Sequence, residues 1–168
     1  MTRLSSAESA LFLRYVHRDS YHRERQEKGH SVAVELSKNL KQYLDKPIFV
    51  TVATIQPDGS PQVSPVWIKR DGNDLLFSTT VGRRKEKNLQ RDHRVSVVVQ
   101  DFDAPYNYAE IRGEATVTAE GGPELIDELA MKYAGKKYAE FNPAAVHDNP
   151  RVVVRISPRK VVGMGNLA

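Results

Sequence analysis

The chain of 168 residues contains no cysteine, which excludes disulfides, thiolate nucleophiles and metal sites that depend on cysteine ligands. It has no apolar run of the roughly 18 residues that a membrane-spanning helix needs. Its first residues also lack the uninterrupted apolar core of a secretory signal peptide. With 40% hydrophobic and 27% charged residues, the composition predicts a globular, cytoplasmic protein whose main part is one domain.

Motifs for catalysis by side chains are also scarce. The serines of VSPVW and FSTT lack a G-x-S-x-G setting, and His93 and His147 form no recognisable partnership with them. There is no HExxH motif and no EF-hand, and five positions separate His17 from His22, which a helix would place on different faces. No metal site is therefore predicted. If the protein is an enzyme, we expect a cofactor to carry the difficult step.

The pattern of the chain separates an N-terminal segment from a β-rich remainder. Residues 1–30 hold three of the five histidines and are dense in charge, and a helix is predicted from about Ser6 to Glu27. We interpret this segment as an appendage or leader. Residues 31–168 are expected to form a single domain.

The domain begins with an amphipathic helix in VELSKNLKQYLD. Predicted strands follow in PIFVTVATI, PQVSPVWIKR and LLFST, separated by the turns PDGS and DGND. After a basic helix over about Arg83–Arg91, further strands lie in HRVSVVVQDF and YAEIRGEATVTA, with Gly113 a candidate bulge. A helix opens at Pro123, and the last strand lies in RVVVRISPRKVVGMG, with Pro158 a candidate interruption.

Six or seven antiparallel strands, three helices and no regular βαβ units predict a mainly β protein of the α+β class. The expected architecture is a closed or partly closed antiparallel β-barrel with helices on its outside. Consecutive hairpins and the absence of a glycine-rich fingerprint after the first strand argue against a Rossmann fold.

Positive charge is concentrated in the segment STTVGRRKEKNLQRD, residues 78–92. Five of the nine residues after Gly82 are Lys or Arg, at the predicted start of a helix. The free N–H groups and the partial positive charge of a helix N-terminus attract anions. The charge alone leaves two interpretations equally open, an anion site and a solvated basic surface helix. Nucleic acid is disfavoured, because no stripe of aromatic residues accompanies the charge.

Taken in order, three motifs resemble the pyridoxamine 5′-phosphate oxidase-like split β-barrel superfamily. They are A-T-I-x-P-D-G-S-P-Q-V-S-P-V-W, T-T-x-G-R-x-K-x-x-N-L and R-D-x-R-V-S, followed by the similar strand YNYAEIRG. The resemblance covers about Val32–Gly163. Within the superfamily the chain is most similar to the deazaflavin-dependent branch, whose members bind coenzyme F420.

The resemblance implies a homodimer of FMN-binding-like split antiparallel barrels, with two cofactor sites in clefts between the subunits. By position, it implies that the cofactor phosphate is bound by Arg83, Lys85 and Asn88, with Ser78, Thr79 and Thr80 beside it. It implies that the ring pocket is lined by Gln62, Ser64, Val66 and Trp67. Tyr106 or Tyr108 is expected to close the pocket, from the same chain or from the partner subunit. No residue is assigned as a catalytic acid or base.

The implied activity is hydride transfer from reduced coenzyme F420 to an unsaturated small-molecule substrate. Two alternatives stay open. One is an FMN-dependent oxidase or reductase of the pyridoxamine phosphate oxidase type. The other is a non-catalytic protein that binds or stores coenzyme F420, since the same pocket would serve both roles.

Overall fold

The computed structural model describes residues 34–144 and 150–168, so the predicted N-terminal segment lies outside the described residues. The described residues form one antiparallel sheet of seven strands: β1 Phe49–Ile55, β2 Pro61–Trp67, β3 Lys69–Asp71, β4 Asp74–Thr80, β5 Arg94–Gln100, β6 Tyr108–Thr118 and β7 Arg151–Met164. They also form the α-helices α1 Lys38–Leu44, α2 Arg84–Arg91, α3 Gly122–Ala134 and α4 Tyr138–Phe141, and a 3₁₀ turn over Gly165–Leu167. The predicted mainly β architecture is confirmed.

The order of the strands forces the sheet to curl. Neighbouring strands run β2-β1-β5-β6-β7-β4-β3, so β2 and β3 are the two edges. Only Ile68 separates these two strands along the chain. The edges therefore meet at Ile68, and the sheet is the split barrel that the resemblance implied. The sequence pattern had predicted one strand through WIKR, whereas the structure interrupts it at Ile68.

Register between strands decides which side chains fill the barrel. Val52 pairs with Val97, and Val97 pairs with Ile111, so these three buried residues share the inner face. Helices close the two ends. The Tyr43 hydroxyl of α1 donates to the Gln100 carbonyl oxygen at 3.4 Å, where β5 finishes. At the opposite end, α2 packs its buried Leu89 into the same core.

Helix α3 packs on the outside of the barrel and fixes the point where the edges meet. The Ile68 N–H donates to the Tyr133 hydroxyl at 3.0 Å, and that hydroxyl donates to the carbonyl oxygen of Ile48. Lys132 Nζ donates to the carbonyl oxygens of Leu44 at 2.7 Å and Ile68 at 2.9 Å. Burial lowers the pKa of Lys132 to about 8. Tyr133 and Lys132, adjacent in α3, thus provide hydrogen-bond partners for both the N–H and the C=O of Ile68.

Two local expectations from the sequence have different outcomes. The bulge expected at Gly113 is confirmed, because the register of β6 on β7 shifts between Arg112 and Gly113. A Cβ at Gly113 would lie 2.5 Å from the Ser157 carbonyl oxygen, so the close approach requires glycine. The interruption expected at Pro158 is wrong, since β7 continues to Met164. The bulge in β6 lies opposite Pro158 and accommodates the proline, so β7 does not break.

The closure predicts an effect of removing a single hydroxyl. Tyr133→Phe leaves the buried Ile68 N–H without its acceptor, and we expect unfolding to become easier by about 1–3 kcal/mol. The matched control is Tyr106→Phe, because Tyr106 is 81% exposed and its change should stay within about 0.5 kcal/mol. Urea unfolding of both variants measures the difference. Equal stability of the two variants would show that the Tyr133 hydroxyl does not hold the closure.

Candidate functional site at the split of the barrel

The barrel is open along part of the line where its edges meet. β2 pairs with β1 over its full length, and β4 pairs with β3 only from Asp74 to Leu76. In the described chain, the outer edge of β2 and the edge of β4 from Phe77 to Thr80 have no ladder partner. The two strands lie next to each other. The boundary between them is called here the split, and among the described residues it has backbone groups without a ladder partner that could bind a ligand.

The N-terminus of α2 follows directly from the end of β4 at this split. Gly82 has a φ of 87°, which turns the chain into the helix and favours glycine. Arg83 is the N-cap residue but makes no capping bond through its side chain. The Gly82 N–H instead donates to Glu86 Oε2 at 2.9 Å. The first-turn N–H groups of α2 have no acceptor within the helix, as at any helix start, so they are available to an anion.

Cationic side chains surround this helix terminus with different degrees of burial. Arg83 and Arg84 are exposed, whereas Lys85 is half-buried. Burial, and then the nearby charge of Arg83, lower the pKa of Lys85. A bound anion would favour the charged form of this lysine. The terminus therefore has the charge, the free donors and the partial burial of a phosphate site.

Two buried hydroxyls support the presence of a ligand in the split. Among the described residues, Ser64 Oγ and Thr79 Oγ1 are the buried side-chain oxygen or nitrogen atoms without a hydrogen-bond partner. Ser64 pairs with the inward-facing Val52, and Thr79 is on the inner face of β4. A buried hydroxyl without a partner is unfavourable. Both residues belong to the set that the resemblance assigned to the cofactor, so the unused groups lie where a polar ligand is expected.

Asn88 and Gln62 form part of a buried chain of hydrogen bonds. Asn88 is 1% exposed, and its Nδ2 donates to Thr54 Oγ1 at 3.0 Å. The Thr54 hydroxyl in turn donates to Gln62 Oε1 at 3.0 Å. This chain ties α2 to β1 and β2. The structure thus places Asn88 behind the helix terminus, where its amide positions neighbouring elements.

The predicted residues lie on both faces of the sheet, because side chains alternate along a strand. Trp67 lies on the outer face and stacks on Tyr133, with ring centroids 5.0 Å apart. Ser78 also faces outwards, and its Oγ accepts a hydrogen bond of 3.4 Å from Arg151 Nη1. Val66 is buried inside, and Thr80 is buried at the end of β4. The set therefore borders the split from two sides and does not line one enclosed pocket.

Sequence reasoning missed part of this border. Arg151 lies over the Tyr138 ring at 4.3 Å, and Phe141 lies 5.3 Å from Trp67. Tyr138 begins α4, whose start is held by a hydrogen bond of 3.0 Å from its N–H to Asp127 Oδ1. No local pattern signals that tertiary contact. Glu86 lay inside the basic motif but received no role.

The two tyrosines predicted to close the pocket lie at the other end of the barrel. Tyr108 pairs with Gln100 and Met164, near the end that α1 closes. Tyr106 projects from the loop before β6. The helix terminus is at the far end of β4, beside Arg151. Within one chain, the structure does not bring these tyrosines to the terminus of α2.

Other kinds of site receive no support from residues 34–144 and 150–168. No group of three or more histidine, aspartate or glutamate side chains in these ranges could hold a metal ion. The helices within them are too short or too polar to span a bilayer.

Comparisons with known proteins agree with this fold. Residues 36–165 match the family model described as pyridoxamine 5′-phosphate oxidase. A solved structure of an F420 reductase is 27% identical with a TM-score of 0.64, and the match covers 76% of this chain and 98% of that one. Protein Rv2991 of Mycobacterium tuberculosis, described as conserved and hypothetical, is 26% identical with a TM-score of 0.62, covering 77% and 85%. HupZ of Group A Streptococcus, 14% identical with a TM-score of 0.58 and coverage of 79% and 97%, shares the fold.

The unpaired hydroxyl of Thr79 predicts an unusual stability result. Thr79→Val removes a buried polar atom that has no partner, so without ligand we expect the variant to be as stable as wild type or up to about 1 kcal/mol more stable. The control is Thr54→Val, which removes a hydroxyl bonded to Asn88 and Gln62 and should lose about 1–3 kcal/mol. Urea unfolding compares the two. A loss in Thr79→Val equal to that in Thr54→Val would mean that the Thr79 hydroxyl is bonded after all.

Proposed function

Because the chain belongs to the pyridoxamine 5′-phosphate oxidase family, we propose that it is an oxidoreductase that uses coenzyme F420 to reduce an unsaturated small molecule. The family is one of flavin- and deazaflavin-type oxidoreductases. The likeness to an F420 reductase at 27% identity supports the deazaflavin. The observation that carries the proposal is the α2 terminus, where Lys85 and free N–H groups follow the end of β4, whose Thr79 hydroxyl has no partner among the described residues.

The phosphate of the cofactor is proposed to bind at this terminus. Lys85 supplies a partly desolvated charge, and Arg83 is free to form a two-pronged contact with phosphate oxygens. The Thr79 hydroxyl gains a partner in the ligand. Asn88 supports the contact from behind, because its buried bond to Thr54 fixes the helix against β1.

The ring system is proposed to lie along the split, against the unpaired edge of β2. Gln62 and Ser64 offer polar groups there, and the Ser64 hydroxyl has no hydrogen-bond partner within the part of the chain that the structure describes. When bound, a reduced deazaflavin supplies a hydride. The protein's contribution is to orient ring and substrate at near-attack distance and to exclude water. No described side chain stands out as an acid or base, so we propose that solvent provides the proton.

A homodimer is proposed to complete the site. The outer face of β1, β2 and β5 carries Phe49, which is 64% exposed, and the exposed Val63. Two open cavities of about 550 and 410 Å³ lie on this face, one beside Phe49 and Phe102 and one over Ala53 and Ile55. A second copy would cover these apolar residues. It would also bring its own Tyr106 loop to the site, because within one chain that loop lies at the other end of the barrel.

We expect sedimentation to show a species of twice the 18.9 kDa chain mass. Phe49→Lys places a charge on the proposed interface and should shift the protein towards monomer. The control is Met131→Lys, which adds the same charge at an exposed position of α3. A wild-type monomer at micromolar concentration, or a dimer that Phe49→Lys leaves intact, would contradict this interface.

The function is tested by titrating the purified protein separately with coenzyme F420 and with FMN and following their absorbance. We expect coenzyme F420 to bind more tightly. Lys85→Ala should weaken that binding by about 1–3 kcal/mol, the loss expected for a charged hydrogen bond. Lys38→Ala is the control, since Lys38 is exposed on α1. Equal binding by wild type and Lys85→Ala would refute the phosphate assignment.

The same experiment separates the alternatives. Tighter binding of FMN would favour an oxidase or reductase of the pyridoxamine phosphate oxidase type, which the family match also allows. A panel of enones incubated with reduced coenzyme F420 then tests turnover. Tight binding without turnover of any enone would favour a binding or storage protein.

A further inference from the structure

Glu86 is a buried carboxylate inside the most cationic part of the chain. It is 2% exposed, although Arg83, Arg84, Lys85 and Lys87 surround it in sequence. Among the residues that the structure describes, no lysine or arginine nitrogen lies within 4.0 Å of it. Its Oε2 accepts a hydrogen bond from the Gly82 N–H at 2.9 Å. The carboxylate therefore points towards the turn that leads into α2.

This bond gives Glu86 a structural role at the helix terminus. Arg83 occupies the N-cap position without capping the helix through its side chain. Glu86, three positions later, reaches back to the residue before the cap and fixes the turn at Gly82. An uncharged acceptor at the same position could make this bond equally well, so the negative charge is not needed for the turn.

The charge has its own consequence for a bound anion. Arg84 and Lys87 are exposed, so solvent screens their attraction. Arg83, proposed to contact the phosphate directly, and the half-buried Lys85 supply two positive charges. The buried Glu86 in the same turn offsets one of them, so the terminus can balance about one negative charge on a phosphate. A second negative charge would be repelled by Glu86 across a poorly screened distance.

We propose that Glu86 makes the α2 terminus select singly charged phosphodiesters over doubly charged phosphomonoesters. This inference rests on the proposed phosphate position at that terminus. It deepens the proposed function, because coenzyme F420 carries a phosphodiester. FMN carries a phosphomonoester, which is mostly doubly charged above a second pKa of about 6. Glu86 is then a specificity-determining residue for the cofactor.

The test uses two small esters that differ in charge and not in ring chemistry. Dimethyl phosphate carries one charge and methyl phosphate carries two at pH 8. Each is titrated into the full chain while the backbone amide signal of Gly82 is followed by NMR. The proteins are wild type, Glu86→Gln, which keeps an oxygen acceptor for the Gly82 N–H, and the control Glu35→Gln. Glu35 is exposed and precedes Leu36, whose N–H bonds Asn73 at the opposite end of β4.

We expect wild type to bind dimethyl phosphate more tightly than methyl phosphate. Glu86→Gln should strengthen the binding of methyl phosphate relative to dimethyl phosphate by about tenfold, as removal of one repulsive charge predicts. Glu35→Gln should leave the ratio unchanged. A purely structural role of Glu86 would alter both affinities equally, so an unchanged ratio overturns the proposal. If Glu86→Gln does not fold, tighter binding of methyl phosphate by wild type overturns it.

The outcome is distinguishable from failure of the proposed function. Charge selection at Gly82 without binding of coenzyme F420 or FMN would uphold the role of Glu86 and refute the redox function. Turnover of an enone with reduced coenzyme F420, with no change of ratio in Glu86→Gln, would refute the role of Glu86 and uphold the redox function. Absence of a Gly82 response to either ester would overturn the inference.

Discussion

The closure of the sheet at Ile68 is the constraint on which the rest of the structure depends. β2 and β3 are at opposite edges of the sheet and yet are consecutive in the chain. The strand must therefore change partners within one residue, and the N–H and C=O of that residue lose their place in a ladder. A buried backbone group without a partner is unfavourable. The Tyr133 hydroxyl accepts a hydrogen bond from the N–H of Ile68, and Lys132 Nζ donates one to its C=O. Helix α3 therefore stabilises the closure.

The closure creates the split, because the edges meet at one point and diverge beyond it. Among residues 34–144 and 150–168, backbone groups at this boundary lack ladder partners and two buried hydroxyls lack hydrogen-bond partners. A protein selected for stability alone would be expected to pair or replace them. They lie near a helix start with free N–H groups, and we propose that a ligand satisfies them. The proposed site thus consists mainly of hydrogen-bonding groups that lack a partner in the described residues, and less of reactive side chains.

Much of this arrangement was predictable from the sequence. Alternation and turn signals located the strands, and the motif around Gly82 located the helix start where the structure has it. Alternation places Trp67 and Ser64 on opposite faces of β2, but local patterns could not show which of these faces is the inner one, since that depends on the register of β2 on β1. Nor could they reveal Tyr138, which Asp127 holds in place from α3. The burial of Glu86 could not be predicted from the sequence, because burial depends on tertiary packing.

The fold and the ligand preference are set by different residues. Closure, register and the position of α2 depend on buried contacts such as those of Tyr133 and Asn88. The fold itself is shared at 14% identity, as with HupZ. The charge balance at the α2 terminus, in contrast, changes with a single side chain at position 86. With the phosphate at the proposed position, a common barrel could accept phosphates of different charge without rebuilding its core, so the proposal locates specificity at the helix terminus.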